Sequence, residues 1–293
     1  MNKFFLLGTL IIATMLFACE KPKTPTIDTL SPANGVLASY TFNGVQREFM
    51  LYKKANLPAN APLVFVMHGF TQTAEMFYGC GFNQIADTAQ FMVCYPQGLE
   101  KSWKNSHNSV DVGFLKALAK SLQTEHSLNP NKTFATGFSQ GGAMSNILAT
   151  DAGDVFRAIA PVAGYFDKSV WDVPFTPVTK VPYFTIHGTD DPIIPINGNG
   201  GFSGWQGGPP IQTIVDYWKT QNNCSTSNTV QLTSNTTAYY HRNGINNNEV
   251  WYYKINGQSH SWPSPANSAI NGYFGDVAGF NACQEIWKFF RKW

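Results

Sequence analysis

The chain has 293 residues, and 20 Lys and Arg against 18 Asp and Glu leave a net charge of +2, so it carries no basic field for tracking a phosphate backbone. Charged residues make up only 13% of the chain, about half the usual share, while 43% apolar and 14% aromatic content is ample for a buried core. Nucleic-acid binding and overall disorder are both excluded.

Residues 1–19, MNKFFLLGTLIIATMLFAC, place Lys3 before an apolar stretch from Phe4 to Phe17, then Ala18 and Cys19. This is the layout of an export signal. The run is too short for a transmembrane helix of about 20 apolar residues, and Glu20, Lys21 and Lys23 follow at once. Leu16, Phe17, Ala18 and Cys19 resemble a bacterial lipobox, in which the thiol is acylated and becomes the new N-terminus. The alternative is a plain secretory signal with an incidental cysteine. Either reading puts the protein outside the cytoplasm, as a lipoprotein of the cell envelope in the first case and secreted in the second. Residues 19–37, rich in Pro and Thr, read as an extended tether, and the folded domain is expected over 38–293.

From Ser39 the sequence SYTFNGVQREFMLYK alternates around Asn43 and Gly44, the strongest short-range hairpin signal. Short apolar runs then alternate with helical segments: PLVFVMHG, TAEMFYGCGFNQIADTA read as one helix, FMVCYP, DVGFLKALAKSLQTEH, KTFATGFS, GGAMSNILAT, AIAPVAGY and VPYFTIHG. Strand, helix and strand in succession predict an α/β domain with a mostly parallel sheet covered on both faces. The last third adds a helix near IQTIVDYWKTQ, a strand at NEVWYYKI and a terminal helix at CQEIWKFFRKW.

Gly137, Phe138, Ser139, Gln140 and Gly141 form a GxSxG pentad where the strand KTFAT meets the helix GGAMSNILAT. That context is a nucleophile elbow, in which a strained turn exposes the serine and only small residues fit beside it. Serine needs a base, and in this arrangement the acid and then the base follow it in the chain. His260, in the loop GQSHSWP after a strand, is preferred as base over His241, which ends a strand in YYHRNG. His187 ends the strand FTIHG and reads as a packed support for the acid loop. The acid is Asp190 or Asp191; Asp191 is chosen because Pro192 restricts its backbone and fixes its carboxylate. The oxyanion of a tetrahedral intermediate needs two donors, assigned to the amides of Gln140 and Phe70, with His68 in a structural role.

MHGFTQTA, GFSQGGAMS, HGTDDPIIPINGNGG and GQSHSWP, in this order, resemble the polyhydroxybutyrate depolymerase and feruloyl esterase branch of the α/β-hydrolases. The similarity runs from about Ser39 to the terminal helix. It implies the α/β-hydrolase fold, Ser139 as nucleophile, Asp191 as acid, His260 as base, and Phe70 with Gln140 as oxyanion donors. One departure is Phe70, where many relatives carry a smaller or sulfur-bearing residue.

The expected activity is a serine esterase acting through an acyl-enzyme, without metal or cofactor, on feruloyl or acetyl esters of plant polysaccharide. The rival substrate is a polyhydroxybutyrate-type polyester, and a rival of another class is a non-catalytic lipoprotein that captures glycan or polymer. Trp262, two residues past the base, is expected to wall the substrate site; Trp103 and Trp205 are further candidates. The loop from Asn197 to Pro210 is a candidate rim over the site. Beyond Cys19, four cysteines allow three pairings, and the favoured one joins Cys80 to Cys94 and Cys224 to Cys283, with free buried thiols as the alternative.

Overall fold

The computed structural model describes residues 34–200, 207–264, 274–275 and 277–293. The leader, Cys19, most of the tether and Trp205 lie outside the described residues. The fold already includes Asn34, a few residues before the expected boundary: its side chain exchanges hydrogen bonds with the backbone of Lys53, both at 2.9 Å.

In chain order the strands are β1 (Leu37–Phe42), β2 (Val45–Tyr52), β3 (Leu63–Met67), β4 (Met92–Pro96), β5 (Thr133–Phe138), β6 (Ala158–Val162), β7 (Tyr183–Gly188), β8 (Thr226–Gln231), β9 (Thr236–Arg242) and β10 (Val250–Ile255). The helices are α1 (Ala74–Tyr78), α2 (Phe82–Ala89), α3 (Val110–Glu125), α4 (Gln140–Asp151), α5 (Lys168–Trp171), α6 (Ile211–Gln221) and α7 (Ala282–Phe290). The ten strands form one sheet in the order β1-β2-β4-β3-β5-β6-β7-β10-β9-β8. Neighbours from β4 to β10 are parallel, and antiparallel pairs close both ends.

The first hairpin follows from its turn. Phe42 pairs with Val45, and Asn43 and Gly44 both take positive φ, 50° and 78°, which the two-residue turn requires and which these residue types tolerate. Along the central strands successive side chains enter different cores, one on each face of the sheet. Leu63, Phe65 and Met67 join α3, α4 and α6 on one face; Val64 and Val66 join α1, α2 and α7 on the other. A strand buried on both faces can be apolar throughout, which is why these runs lack polar alternation.

Three expectations are corrected. The segment TAEMFYGCGFNQIADTA is two helices, because Gly79 ends the first and Gly81, at φ 118°, lies outside helical backbone before the second. The strand β8 was not expected: all six of its residues are exposed, so it has no apolar period and forms by pairing with the edge of β9. The cysteine pairing is also different. Cys94 faces the core of α3 and α4, and Cys224 packs against that same core, whereas Cys80 and Cys283 lie in the core on the opposite face. Either favoured bridge would have to pass through the sheet, and neither is formed in this structure.

Candidate active site

Ser139 stands between the last residue of β5 and the first of α4, with φ 54° and ψ −115°. Few L-residues hold such a backbone, and such strain survives only where the surroundings over-determine it. Here the Ser139 amide donates to the Val162 carbonyl of β6 at 3.0 Å. A Cβ at Gly137 would lie 2.5 Å from the Gly141 backbone, and one at Gly141 would strike the Met67 carbonyl. The glycines of the pentad are therefore there because β3, β5 and α4 approach too closely for a side chain.

Asp191 lies three residues beyond β7. Its Oδ1 accepts from the amides of Ile193 at 2.9 Å and Ile194 at 2.8 Å, and its Oδ2 accepts from His260 Nδ1–H at 2.7 Å. The His260 ring packs 4.9 Å from the ring of Phe138, the residue just before the serine. The structure thus brings Asp191, His260 and the serine turn to one end of the parallel strands, where open α/β sheets bind ligands. Asp190 is exposed and accepts from the Thr189 hydroxyl at 2.8 Å. His241 is elsewhere, with Nδ1 2.7 Å from Ser227 Oγ in the β8–β9 hairpin.

His187 supports the acid loop from within the core. Its Nε2–H donates to the Ile194 carbonyl at 2.8 Å, and Nε2 lies 3.7 Å from Asp191 Oδ2. Burial lowers its pKa, opposed by the Asp191 charge, so the ring stays neutral. A support that sequence reasoning missed is Gln258. Its carbonyl accepts from the Asp190 amide at 3.1 Å and Gly188 leaves room for its backbone, which ties the acid loop to the base loop.

The loop after β3 runs over the serine: a Cβ at Gly69 would sit 3.3 Å from Ser139 Cβ. Among the described residues the Phe70 amide donates to no partner. Gln140 is the first residue of α4, where helical amides lack intrahelical acceptors and carry partial positive charge. The loop is held from below. The Gly69 amide donates to Gln72 Oε1 at 2.7 Å, and His68 Nδ1–H donates to the Gly69 carbonyl at 2.7 Å. His68 Nε2 accepts from the Gly98 amide at 2.9 Å and from Gln97 Nε2 at 3.0 Å. Burial brings the His68 pKa down to about 4, so it is a neutral structural residue. Gln97 and Gln72 carried no sequence signal, since neither belongs to a catalytic residue class.

Trp103 is buried and structural. Its indole N–H donates to the His68 carbonyl at 2.9 Å, and its amide donates to Gln140 Oε1 at 3.1 Å, so one tryptophan links the end of the β3 loop to the start of α4. Trp262 is a correction. Expected to wall the substrate site, it is fully buried with its ring 5.7 Å from Phe77, so it floors the His260 loop and presents no surface to a ligand. The exposed aromatic side chain beside the serine turn is Phe70, at 56% exposure. Among the described residues no three His, Cys, Asp or Glu side chains are placed to hold a metal ion.

Comparison with known proteins shows what the chain resembles. A family model described as Phospholipase/Carboxylesterase matches residues 97–200, which carry the serine turn and Asp191. Poly(3-hydroxyalkanoate) depolymerase C of Paucimonas lemoignei is 29% identical over 174 residues, covering 54% of this chain and 40% of that protein. Probable feruloyl esterase C of Aspergillus terreus is 33% identical over 207 residues, covering 66% of this chain and 68% of that protein. Other curated relatives are longer than their matched region, and the chain spans about half of their length. Among solved structures, an acetyl xylan esterase from Aspergillus awamori superposes with TM-score 0.60 at 16% identity, over 77% of this chain and 94% of that one, a likeness of fold.

Proposed function

The chain belongs to the α/β-hydrolase carboxylesterases, in the branch of feruloyl esterases and polyhydroxyalkanoate depolymerases, and from that membership we propose an extracytoplasmic serine esterase for feruloyl or acetyl esters of plant polysaccharide. The observation that carries the reading is the 2.7 Å bond between Asp191 and His260 beside the strained Ser139 turn. With Nδ1–H held by the carboxylate, the His260 Nε2 lone pair is free to take the Ser139 proton. The alkoxide attacks the ester carbonyl, and the amides of Phe70 and Gln140 receive the oxyanion. His260 returns the proton to the leaving alcohol, and water repeats the sequence on the acyl-enzyme. No metal or organic cofactor takes part in these steps.

Feruloyl esters are favoured because a relative matched over two thirds of its length carries that name and because an exposed aromatic ring, Phe70, stands at the serine turn. A polyhydroxyalkanoate-type polyester is the second reading, favoured by the depolymerase relative. Export and a lipid anchor at Cys19 belong to the same proposal and rest on the leader sequence. The test is hydrolysis of methyl ferulate, 4-nitrophenyl acetate and a 3-hydroxybutyrate oligomer side by side, with Ser139→Ala as control. Turnover lost in the variant is expected, with methyl ferulate preferred; preference for the oligomer selects the polyester reading. No turnover of any of the three would leave a binding lipoprotein as the better account.

A further inference from the structure

Cys80 and Cys283 are 203 residues apart in sequence and meet in the core shared by α1, α2 and α7. Cys80 follows α1, and Cys283 is the second residue of α7, in a first turn capped by the Asn281 side chain. Their sulfurs are 3.8 Å apart, and the Cys283 thiol donates to the Cys80 carbonyl at 3.1 Å. Both residues are buried. Cys94 and Cys224 pack on the other side of the sheet and compete for neither sulfur.

We propose that Cys80 and Cys283 are the disulfide pair of this protein, fastening α7 to the segment between α1 and α2. A disulfide needs the sulfurs about 2.05 Å apart, and rotation about the two Cα–Cβ bonds supplies the remaining approach. The bond forms by exchange with an oxidant of the disulfide class. One cysteine thiolate attacks the oxidant and displaces one thiolate from it; the second cysteine thiolate then attacks the mixed disulfide and displaces the other. Two electrons and two protons pass from the cysteines to the oxidant, which leaves as two thiols. Once α7 has docked, burial keeps the Cys283 thiol protonated and unreactive, so exchange belongs to the folding stage.

The pair lies in the same core as Trp262. Trp262 floors the loop that carries His260, so the pair fixes the terminal helix and the support of the base together. The proposal rests on the exported reading only for the source of the oxidant, because disulfides persist in oxidising compartments.

The test is refolding of the reduced, denatured chain in a glutathione redox buffer, followed by alkylation, digestion and mass analysis. Linked peptides carrying Cys80 and Cys283 are expected, and Cys283→Ser should abolish them. Reduction should lower the melting temperature of the parent by roughly 5–15 °C and leave the double variant Cys80→Ala/Cys283→Ala unmoved. The same peptides are sought in protein recovered from its own cells. A link formed in the buffer but absent from protein recovered from cells overturns the pair as a bond of the protein in its own compartment. Alkylated Cys80 and Cys283 after refolding, or links to Cys94 or Cys224, overturn the pair whether or not the chain turns over esters.

Discussion

Asp191 commits both carboxylate oxygens, Oδ2 to His260 Nδ1 at 2.7 Å and Oδ1 to the amides of Ile193 and Ile194. An asparagine there would keep one oxygen for the backbone and turn an N–H toward the imidazole, which favours the wrong tautomer. Asp191→Asn should therefore lower kcat by about 10⁴ on 4-nitrophenyl acetate, as the same change does in other triads. Asp190→Asn removes an exposed group bonded to Thr189 and should leave turnover close to the parent. Steady-state kinetics of the two variants decide the matter, and the opposite ranking would move the acid to Asp190.

Phe70 contributes two separable things, an amide at the serine turn and an exposed ring. Phe70→Ala keeps the amide and removes the ring. If the ring stacks on an aromatic acyl group, the ratio of kcat/KM for methyl ferulate to that for methyl butyrate should fall roughly 3- to 10-fold, the range of an aromatic pair contact. Equal losses on both esters would mean that the ring only shapes the oxyanion loop.

The serine turn was legible because its constraint is local: β3, β5 and α4 leave no space for a Cβ at 137 or 141, so glycine must appear at those positions. Asp191 and His260 were legible because chain order and the loops after β7 and β10 limit the choice. The cysteine pairing was not. Whether Cys94 and Cys80 can meet depends on which face of the sheet each side chain enters, and that depends on strand register across distant segments. The fate of Trp262 has the same cause, since a tryptophan in a short polar loop reads alike whether its ring turns out to a ligand or in against Phe77. The strand β8 carries no pattern because the only order it obeys is the hydrogen-bond ladder of β9.

The first hairpin is tied to α3 by a buried ion pair. Arg47 Nη2 lies 2.7 Å from Asp111 Oδ1 with both side chains almost fully buried, and the guanidinium sits 4.0 Å above the Phe114 ring. Asp111 Oδ2 also accepts from the Lys104 amide at 2.7 Å. Asp111→Ala leaves a buried cation uncompensated and should cost about 3–5 kcal/mol in urea unfolding. The double variant Arg47→Met/Asp111→Ala should recover much of that loss, because the cation is gone. A double variant as unstable as the sum of both singles would show that no such coupling exists.

His68 makes stability depend on pH beneath the oxyanion loop. Its Nδ1–H donates to Gly69 and its Nε2 accepts from Gly98 and Gln97, so only the neutral ring satisfies its partners. Burial is the larger influence and lowers the folded pKa from the ordinary 6.5 to about 4; the bond to the Gly69 carbonyl opposes it. Between those values the unfolded chain binds more protons than the folded one, so stability rises with pH across the window. The contribution is complete above about pH 6.5 and is lost progressively toward pH 4, by an amount on the order of 3 kcal/mol. His187, also lowered by burial, acts in the same direction. Urea midpoints at pH 5 and pH 7.5 should differ in the parent, with the higher value at pH 7.5. His68→Asn should be less stable at both and show a smaller difference between them. An undiminished difference would place the acid sensitivity in other groups and leave His68 protonating in the folded state as readily as in the unfolded chain.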